Sequence, residues 1–456
     1  MPKIIKQNTP LVTQPLRTSS ATGAILASFG IRRTVPLLHG AQGCSAFAKV
    51  FLIGHLREPI PLQNTAIDQV SAVMGGDDNL FEALCTLCDK NSPELITVMT
   101  TGLTELQGTD LFRVVSQFRR DKPQYNATRV VTMHTPDFTG SMQSGYAYAV
   151  NCLVKQLVKE PTRRQKQRVQ VNVLCSVGMT AADIDTIKQY LNAFDVEGIF
   201  VPDLSLSLDG HLGDDDFSPT SMGGTSVLEI EMMSESDATL VFGDSLTDTG
   251  VWLEKRFGIP AFNFGMGMTI EQVDRFVMTL AKLSGKDVPS WITRARQRVQ
   301  DAMLDSHFVL THETYAIALE PDLAKGYASL IAAMGGHIHQ VITTSQDAGF
   351  EDLACDEVII GDLAQLDKSY PDLRLVVSNS HAAVMCEPTI PVLRTGYPVS
   401  DRYGNMDVRQ FGYEGMRERL FAMANSMIIT EKEEVEPHIS AYRFTAQEVK
   451  QNRGAA

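Results

Sequence analysis

The sequence predicts an α/β protein built from three doubly wound parallel-sheet domains of the Rossmann-like kind. Three observations carry that expectation. Apolar runs such as Leu95–Thr100 and Val169–Cys175 are too continuous for strands with one wet face, so they read as strands covered on both sides of a parallel sheet. Such strands lead into glycine-bearing or polar turns and then into segments with helical spacing, and this order recurs along the chain. At 456 residues the chain is too long for one ordinary core, and the usual domain size gives about three domains.

In order, Met1 to Pro15 is polar and irregular, and the first twenty residues hold no apolar stretch of the kind a signal peptide needs. Residues 24–30 read as a short helix closed by Gly30, leading into a strand that ends at His39. His39-Gly40-Ala41-Gln42-Gly43-Cys44-Ser45-Ala46-Phe47 is then a glycine-bearing turn into a helix over 47–56. Asp77-Asp78-Asn79 caps a helix over 80–89, whose apolar residues recur at helical spacing, and Leu95–Thr100 is the next strand. Gly108-Thr109-Asp110 opens a further helix. The basic stretch 163–168 after Pro161 reads as a solvated linker, which sets domains at 1–165, 166–303 and 304–456. The second domain starts with the strand Val169–Cys175 and a helix over 180–194, with later strands at 239–242 and 258–262. In the third, a strand over 314–319, a helix over 321–334 closed by Gly335-Gly336, and the strand His337–Thr343 make a βαβ unit. A strand over 373–377 ends in Ser378-Asn379-Ser380-His381, and the tail from Glu431 onward is polar and peripheral.

The charge balance excludes several functions. Forty basic against fifty-four acidic residues leave a net charge of −14, which argues against nucleic acid and against an anionic membrane surface as partners. No apolar run has the length of a membrane span, so a cytoplasmic protein is expected. Seven scattered cysteines, Cys44, Cys85, Cys88, Cys152, Cys175, Cys355 and Cys386, are not a disulfide framework, and no four have zinc or ferredoxin spacing. The βαβ unit lacks a G-x-G-x-x-G fingerprint, so a dinucleotide cofactor is not expected.

Cys44 is the residue with chemistry in its setting. At a helix N-terminus the dipole and unpaired N–H groups favour the thiolate. Gly40 and Gly43 let the backbone approach whatever the sulfur binds, a geometry suited to an anion or an iron–sulfur cluster. Cys44 is therefore a metal ligand, a nucleophile or an inert small residue. The other features read as structure. Cys85 and Cys88 lie three apart on one helix face and pack in a core; 210–216 is a solvated acidic turn; His337 and His339 are a satisfied pair. Arg57 and Glu58 are structural, and His381 is a minor candidate for an interior site.

Six short motifs occur in one order along the chain: His39-Gly40-Ala41-Gln42-Gly43-Cys44, Arg57-Glu58-Pro59, Thr100-Thr101-Gly102, His134-Thr135-Pro136-Asp137-Phe138, Asp305-Ser306-His307 and Gly412-Tyr413-Glu414-Gly415. By them the chain resembles the nitrogenase molybdenum–iron protein β-subunit family throughout its length, and within it the β-like subunits of the iron–molybdenum cofactor assembly scaffold. In the catalytic β-subunits of that family three cysteines hold half of the eight-iron P-cluster at the interface with the α-subunit. Those positions fall near Ser19, on Cys44 and on Gly102. A hydroxyl and a hydrogen do not replace soft sulfur ligands for iron. The resemblance thus implies a smaller [4Fe–4S] cluster, with Cys44 as one ligand and an α-like partner of the NifE type supplying the rest, while Gly40 and Gly43 give the close-approach backbone and Ser19 and Gly102 line the same pocket without holding the cluster. No cysteine occurs between Cys175 and Cys355, the region where α-like subunits carry the cofactor-ligating cysteine, so the cofactor precursor is expected mainly in the partner. The resemblance further implies an α2β2 heterotetramer, docking of the nitrogenase iron protein as donor of molybdenum and homocitrate, and no independent catalysis. Two alternatives stand beside it: a catalytic nitrogenase β-type subunit, against which Ser19 and Gly102 speak, and a cysteine-nucleophile enzyme with His39 or His134 as base.

Overall fold

The computed structural model describes residues 1–7, 14–162, 168–211, 218–346 and 349–430. The chain opens with a strand, β1 (Lys3–Lys6), that belongs to the last sheet of the molecule. Then come α1 (Ser20–Phe29), β2 (Thr34–His39), α2 (Gln42–Leu56), the two-residue β3 (Gln63–Asn64), α3 (Gln69–Met74), α4 (Asp77–Asn91), β4 (Leu95–Thr100), α5 (Gly102–Gln107), α6 (Leu111–Asp121), β5 (Arg129–Met133) and α7 (Met142–Leu157). These strands form a parallel sheet in the order β3-β2-β4-β5. Its two faces alternate residue by residue. Val35, Leu37, Ile96 and Val98 pack with Leu84 of α4 and Phe118 of α6, whereas Leu38, Met99, Val131 and Met133 join the cluster that holds α1 and α7.

The second sheet is built from β6 (Val169–Cys175), α8 (Ala181–Ala193), β7 (Val196–Val201), α9 (Val227–Glu231), β8 (Ala238–Phe242), α10 (Thr247–Phe257), β9 (Ala261–Asn263) and α11 (Ile270–Ser284), in the order β7-β6-β8-β9. The third follows the long helix α12 (Ser290–Leu310). It contains β10 (Thr314–Ala318), α13 (Pro321–Ala333), β11 (His337–Thr343), β12 (Cys355–Ile360), β13 (Leu373–Ser378), α14 (Ser380–Cys386) and β14 (Val392–Arg394), closed by α15 (Gly412–Thr430). Its strand order is β1-β12-β11-β10-β13-β14. Every strand pairing among the described residues is parallel. The doubly wound α/β class predicted from the sequence is therefore the architecture observed. One apolar cluster runs through all three sheets and includes α1, α7, α13 and α15. No helix among the described residues is long and apolar enough to cross a membrane.

Several elements differ from the sequence expectation. The opening residues are not wholly irregular, since β1 pairs in register with β12, Lys3 opposite Glu357 and Lys6 opposite Ile360. Its partner is remote in sequence, so no local pattern announces it. Helix α2 begins at Gln42 rather than 47, which puts Cys44 inside its first turn. Gly76 takes the N-cap of α4, and Asp77 and Asp78 sit in its first turn, where carboxylates complement the dipole. Cys85 and Cys88 do pack in the α4 core, and burial pushes both thiols up. His337 and His339 share the Asp356 carboxylate at 3.0 and 3.4 Å. Residues 163–167 of the expected linker, 212–216 of the acidic turn and the tail from 431 lie outside the described residues. Arg168, at the end of that linker, pairs with Asp195 at 3.3 Å.

Candidate functional site

In the first sheet the strand order reverses between β2 and β4. Loops leaving adjacent strands at such a reversal diverge and leave a crevice at the carboxyl ends. The turn after β2 is the His39–Cys44 motif, and the turn after β4 is Thr100-Thr101-Gly102. They are stitched together, because the His39 carbonyl accepts hydrogen bonds from Thr101 Oγ1 at 3.2 Å and Thr104 Oγ1 at 3.0 Å. The Gly40 N–H donates to Thr65 Oγ1 at 3.1 Å. A Cβ on Gly40 would lie 2.5 Å from Thr101 Cγ2, so its missing side chain is required by the neighbouring turn. Gly43 is exposed, with open space where its side chain would be.

Above these turns lies a cavity of about 340 Å³, lined by Ser19, Thr22, Cys44, Phe47, Thr101 and Asp137 among others. Ser19 is the N-cap of α1, and its hydroxyl accepts from the Thr22 N–H at 3.3 Å. Asp137 follows β5, the next strand along, and its Oδ2 accepts from the Gly102 N–H at 3.4 Å. Of the five residues singled out in the sequence, Ser19 and Cys44 thus line the cavity and Gly102 adjoins it through Asp137. Gly40 supports it from behind, and Gly43 stands at the helix start facing outward. Asp137 was not singled out as a site residue. The available signal was its place in the His134–Phe138 motif, where a carboxylate sits at the carboxyl end of a strand neighbouring the other two turns.

The electrostatics of Cys44 correct one expectation. A helix N-terminus favours a thiolate by roughly 0.3–1 kcal/mol at an exposed site. Here burial, joined by the Asp137 carboxylate, outweighs that and pushes the Cys44 thiol above its ordinary value, and the bond to its own backbone N–H offsets the rise only in part. The histidines offered as bases are engaged elsewhere. His39 Nδ1 meets Thr65 Oγ1 at 3.0 Å, and burial drops its imidazole to about 4, so it is neutral. His134 Nδ1 meets Glu105 Oε1 at 2.8 Å. No base is hydrogen-bonded to the Cys44 sulfur among the described residues, which removes the motive for a nucleophile. Arg57 caps the end of α2 in a left-handed conformation and donates to the Ser400 carbonyl at 2.5 Å, a structural role. His381 Nδ1 bonds the Pro15 carbonyl at 2.8 Å, away from this cavity. Among the described residues no group of three or more His, Cys, Asp or Glu is arranged to hold a metal ion.

Residues 19–428 match the family of nitrogenase component 1 type oxidoreductases. The chain is 39% identical over 447 residues to the nitrogenase iron-molybdenum cofactor biosynthesis protein NifN of Klebsiella pneumoniae, covering 97% of this chain and 96% of that protein. Proteins of the same name from a Nostoc species and from Rhodobacter capsulatus are 39% and 36% identical, covering 94% and 91% of this chain and 96% and 91% of theirs. Among solved structures, nitrogenase Cp1 at pH 6.5 has a TM-score of 0.86 at 26% identity, covering 96% of this chain and 97% of that one.

Proposed function

Because the chain belongs to the nitrogenase component 1 type oxidoreductase family, and its NifN relatives are named as iron–molybdenum cofactor biosynthesis proteins, we propose that it is a scaffold subunit for biosynthesis of the nitrogenase iron–molybdenum cofactor. In this reading it pairs with an α-like subunit of the NifE type in a cytoplasmic α2β2 assembly. A [4Fe–4S] cluster is shared at the junction, and the cofactor precursor is held mainly by the partner until the nitrogenase iron protein delivers molybdenum and homocitrate. The chain has no catalytic activity of its own.

The observation that carries the reading is the donor set of the Cys44 cavity. Cys44 is the one cysteine that lines it, Ser19 and Thr101 offer hydroxyls, and Asp137 offers a carboxylate. Iron in an iron–sulfur cluster is held by about four thiolates, so this half-site fits one corner of a cluster whose other ligands come from another chain. The surroundings support a covering partner. Phe47, which lines the cavity, is 81% exposed, and Val50 one turn further along α2 is 73% exposed. Such side chains at the mouth of a half-buried thiol suit burial against a second subunit. When bound, the cluster supplies one-electron transfer and a covalent tie across the junction. The chain's own part is to present the Cys44 sulfur and to fix the two turns through the His39 carbonyl.

The test is reconstitution. The chain purified with its α-like partner is combined with iron protein, molybdate, homocitrate and cofactor-deficient nitrogenase. Activation that requires this chain, with no dinitrogen reduction by the complex itself, is expected. Substrate reduction by the complex alone would favour a catalytic β-type subunit instead.

A further inference from the structure

The walls of the Cys44 cavity are apolar or hydroxyl-bearing. Ile25 and Leu38 are buried there, Phe51 packs against the same core, and the Ser19 and Thr22 hydroxyls bond each other at 3.0 Å. Asp137 is the one side chain of the lining that carries a formal charge, and no lysine, arginine or histidine lines the cavity among the described residues. Its Oδ2 accepts from the Gly102 N–H at 3.4 Å, which ties the carboxylate to the turn after β4. No cation pairs with it among the described residues. The imidazole at the same strand exit, His134, is taken up by Glu105 at 2.8 Å.

In the single chain Asp137 is exposed, and water screens its charge. A covering subunit changes that. Phe138, the next residue, is 62% exposed, and Phe47 stands at the same mouth, so the surface around the carboxylate is apolar and open. Once water is displaced from such a mouth, an unpaired charge acts through a lower effective dielectric and its field on neighbouring charge grows. A [4Fe–4S] cluster held by about four thiolates is already anionic, and its reduction adds a further negative charge. Net charge and solvent exposure around a cluster are among the quantities that set its potential. A carboxylate with no counter-ion, in the cavity that presents the cluster-binding thiol, opposes the added electron.

We propose that Asp137 sets the reduction potential of the shared cluster, holding it low through its charge and without ligating iron; this rests on the cluster of the proposed function. Reduction takes one electron from the reductant, and no bond to Asp137 forms or breaks. A lower potential makes the reduced cluster a stronger one-electron donor. The experiment is a redox titration with dithionite, followed by electron paramagnetic resonance, on the anaerobically co-purified complex. Asp137→Asn keeps an acceptor for the Gly102 N–H and removes only the charge. It should favour the reduced form roughly tenfold, a rise of about 59 mV for a one-electron couple. Asp137→Glu, which restores the charge, should stay within about twofold of the wild type, under about 20 mV. Iron content and the shape of the reduced signal should be the same in all three. A normal cluster whose potential moves less than about twofold in Asp137→Asn, or moves downward, would overturn this proposal alone. Loss of iron or an altered signal in Asp137→Asn would make Asp137 a ligand and overturn it as well. Absence of any cluster from the wild-type complex would remove the shared cluster of the scaffold reading and this proposal together.

Discussion

At Cys44 three influences compete: the helix N-terminus, burial, and the Asp137 carboxylate. Burial is the largest, and Asp137 acts in the same direction, so the iron-free chain carries a thiol near neutral pH. Iron takes the thiolate, so ligation must release that proton and is disfavoured as pH falls. Asp137→Asn removes one of the two upward pushes. In the iron-free chain it should speed alkylation of Cys44 by iodoacetamide roughly two- to tenfold at pH 8, read by mass spectrometry of the labelled peptide. An unchanged rate would mean that Asp137 does not reach the sulfur electrostatically. Cys44 was legible in the sequence because glycines and a helix start surround it. Its raised value was not, since burial depends on α1 and the turn after β5, elements distant in sequence, and nothing near residue 44 announces them.

At the scale of elements, the cavity depends on how closely α1 meets α7. A Cβ on Gly23 of α1 would lie 1.9 Å from the Met142 carbonyl oxygen, and one on Gly145 of α7 would lie 1.9 Å from the Ser20 carbonyl oxygen. Both obstacles are backbone, so no side-chain rotation relieves them. The helices must separate instead, which carries Ser19 away from Cys44. Gly145→Ala should therefore destabilise the chain by about 2–4 kcal/mol, at or beyond the usual range for overpacking. Denaturant unfolding measures it; a loss below about 0.5 kcal/mol would mean that the two helices have room to accept the methyl group. Elements with strong local signals, such as β4, β6 and the βαβ unit of β10, α13 and β11, were legible from their apolar runs and punctuating residues. Helix α5 was not, because six residues with one buried side chain, Thr104, carry no periodicity, and its start is set by a Thr101–Thr104 capping box.

At the scale of the whole molecule, side chains tie the sheets together. Glu320 at the start of α13 accepts from Ser141 Oγ before α7 at 2.9 Å and from Thr344 Oγ1 after β11 at 2.6 Å. Burial pushes its carboxyl up to about 7 from 4.5. The folded value is the raised one, so this group's contribution is intact below about pH 4.5 and is lost as pH rises toward 7, while the unfolded chain ionises freely. Glu320→Gln should raise stability at pH 8 by ~1–3 kcal/mol and by much less at pH 5, read from unfolding curves at the two values. His55 has the opposite sign. Burial holds its imidazole at about 3 against 6.5, so its contribution is full above 6.5 and is lost as pH falls below that. Long-range ties of this kind, like the pairing of β1 with β12, leave no mark in a local window of sequence. The three-sheet plan was legible because strand and helix periods repeat; the side chains that join the sheets were not.

In the proposed function, Cys44 is this chain's ligand to a cluster completed by a partner. The most direct test is iron and acid-labile sulfide content, with electron paramagnetic resonance of the dithionite-reduced state, on the anaerobically co-purified complex carrying either Cys44 or Cys44→Ala. A reduced [4Fe–4S] signal that is lost or altered in the variant is the predicted result. An identical signal and iron content in both would place every cluster ligand in the partner and leave Cys44 a buried thiol without a cluster.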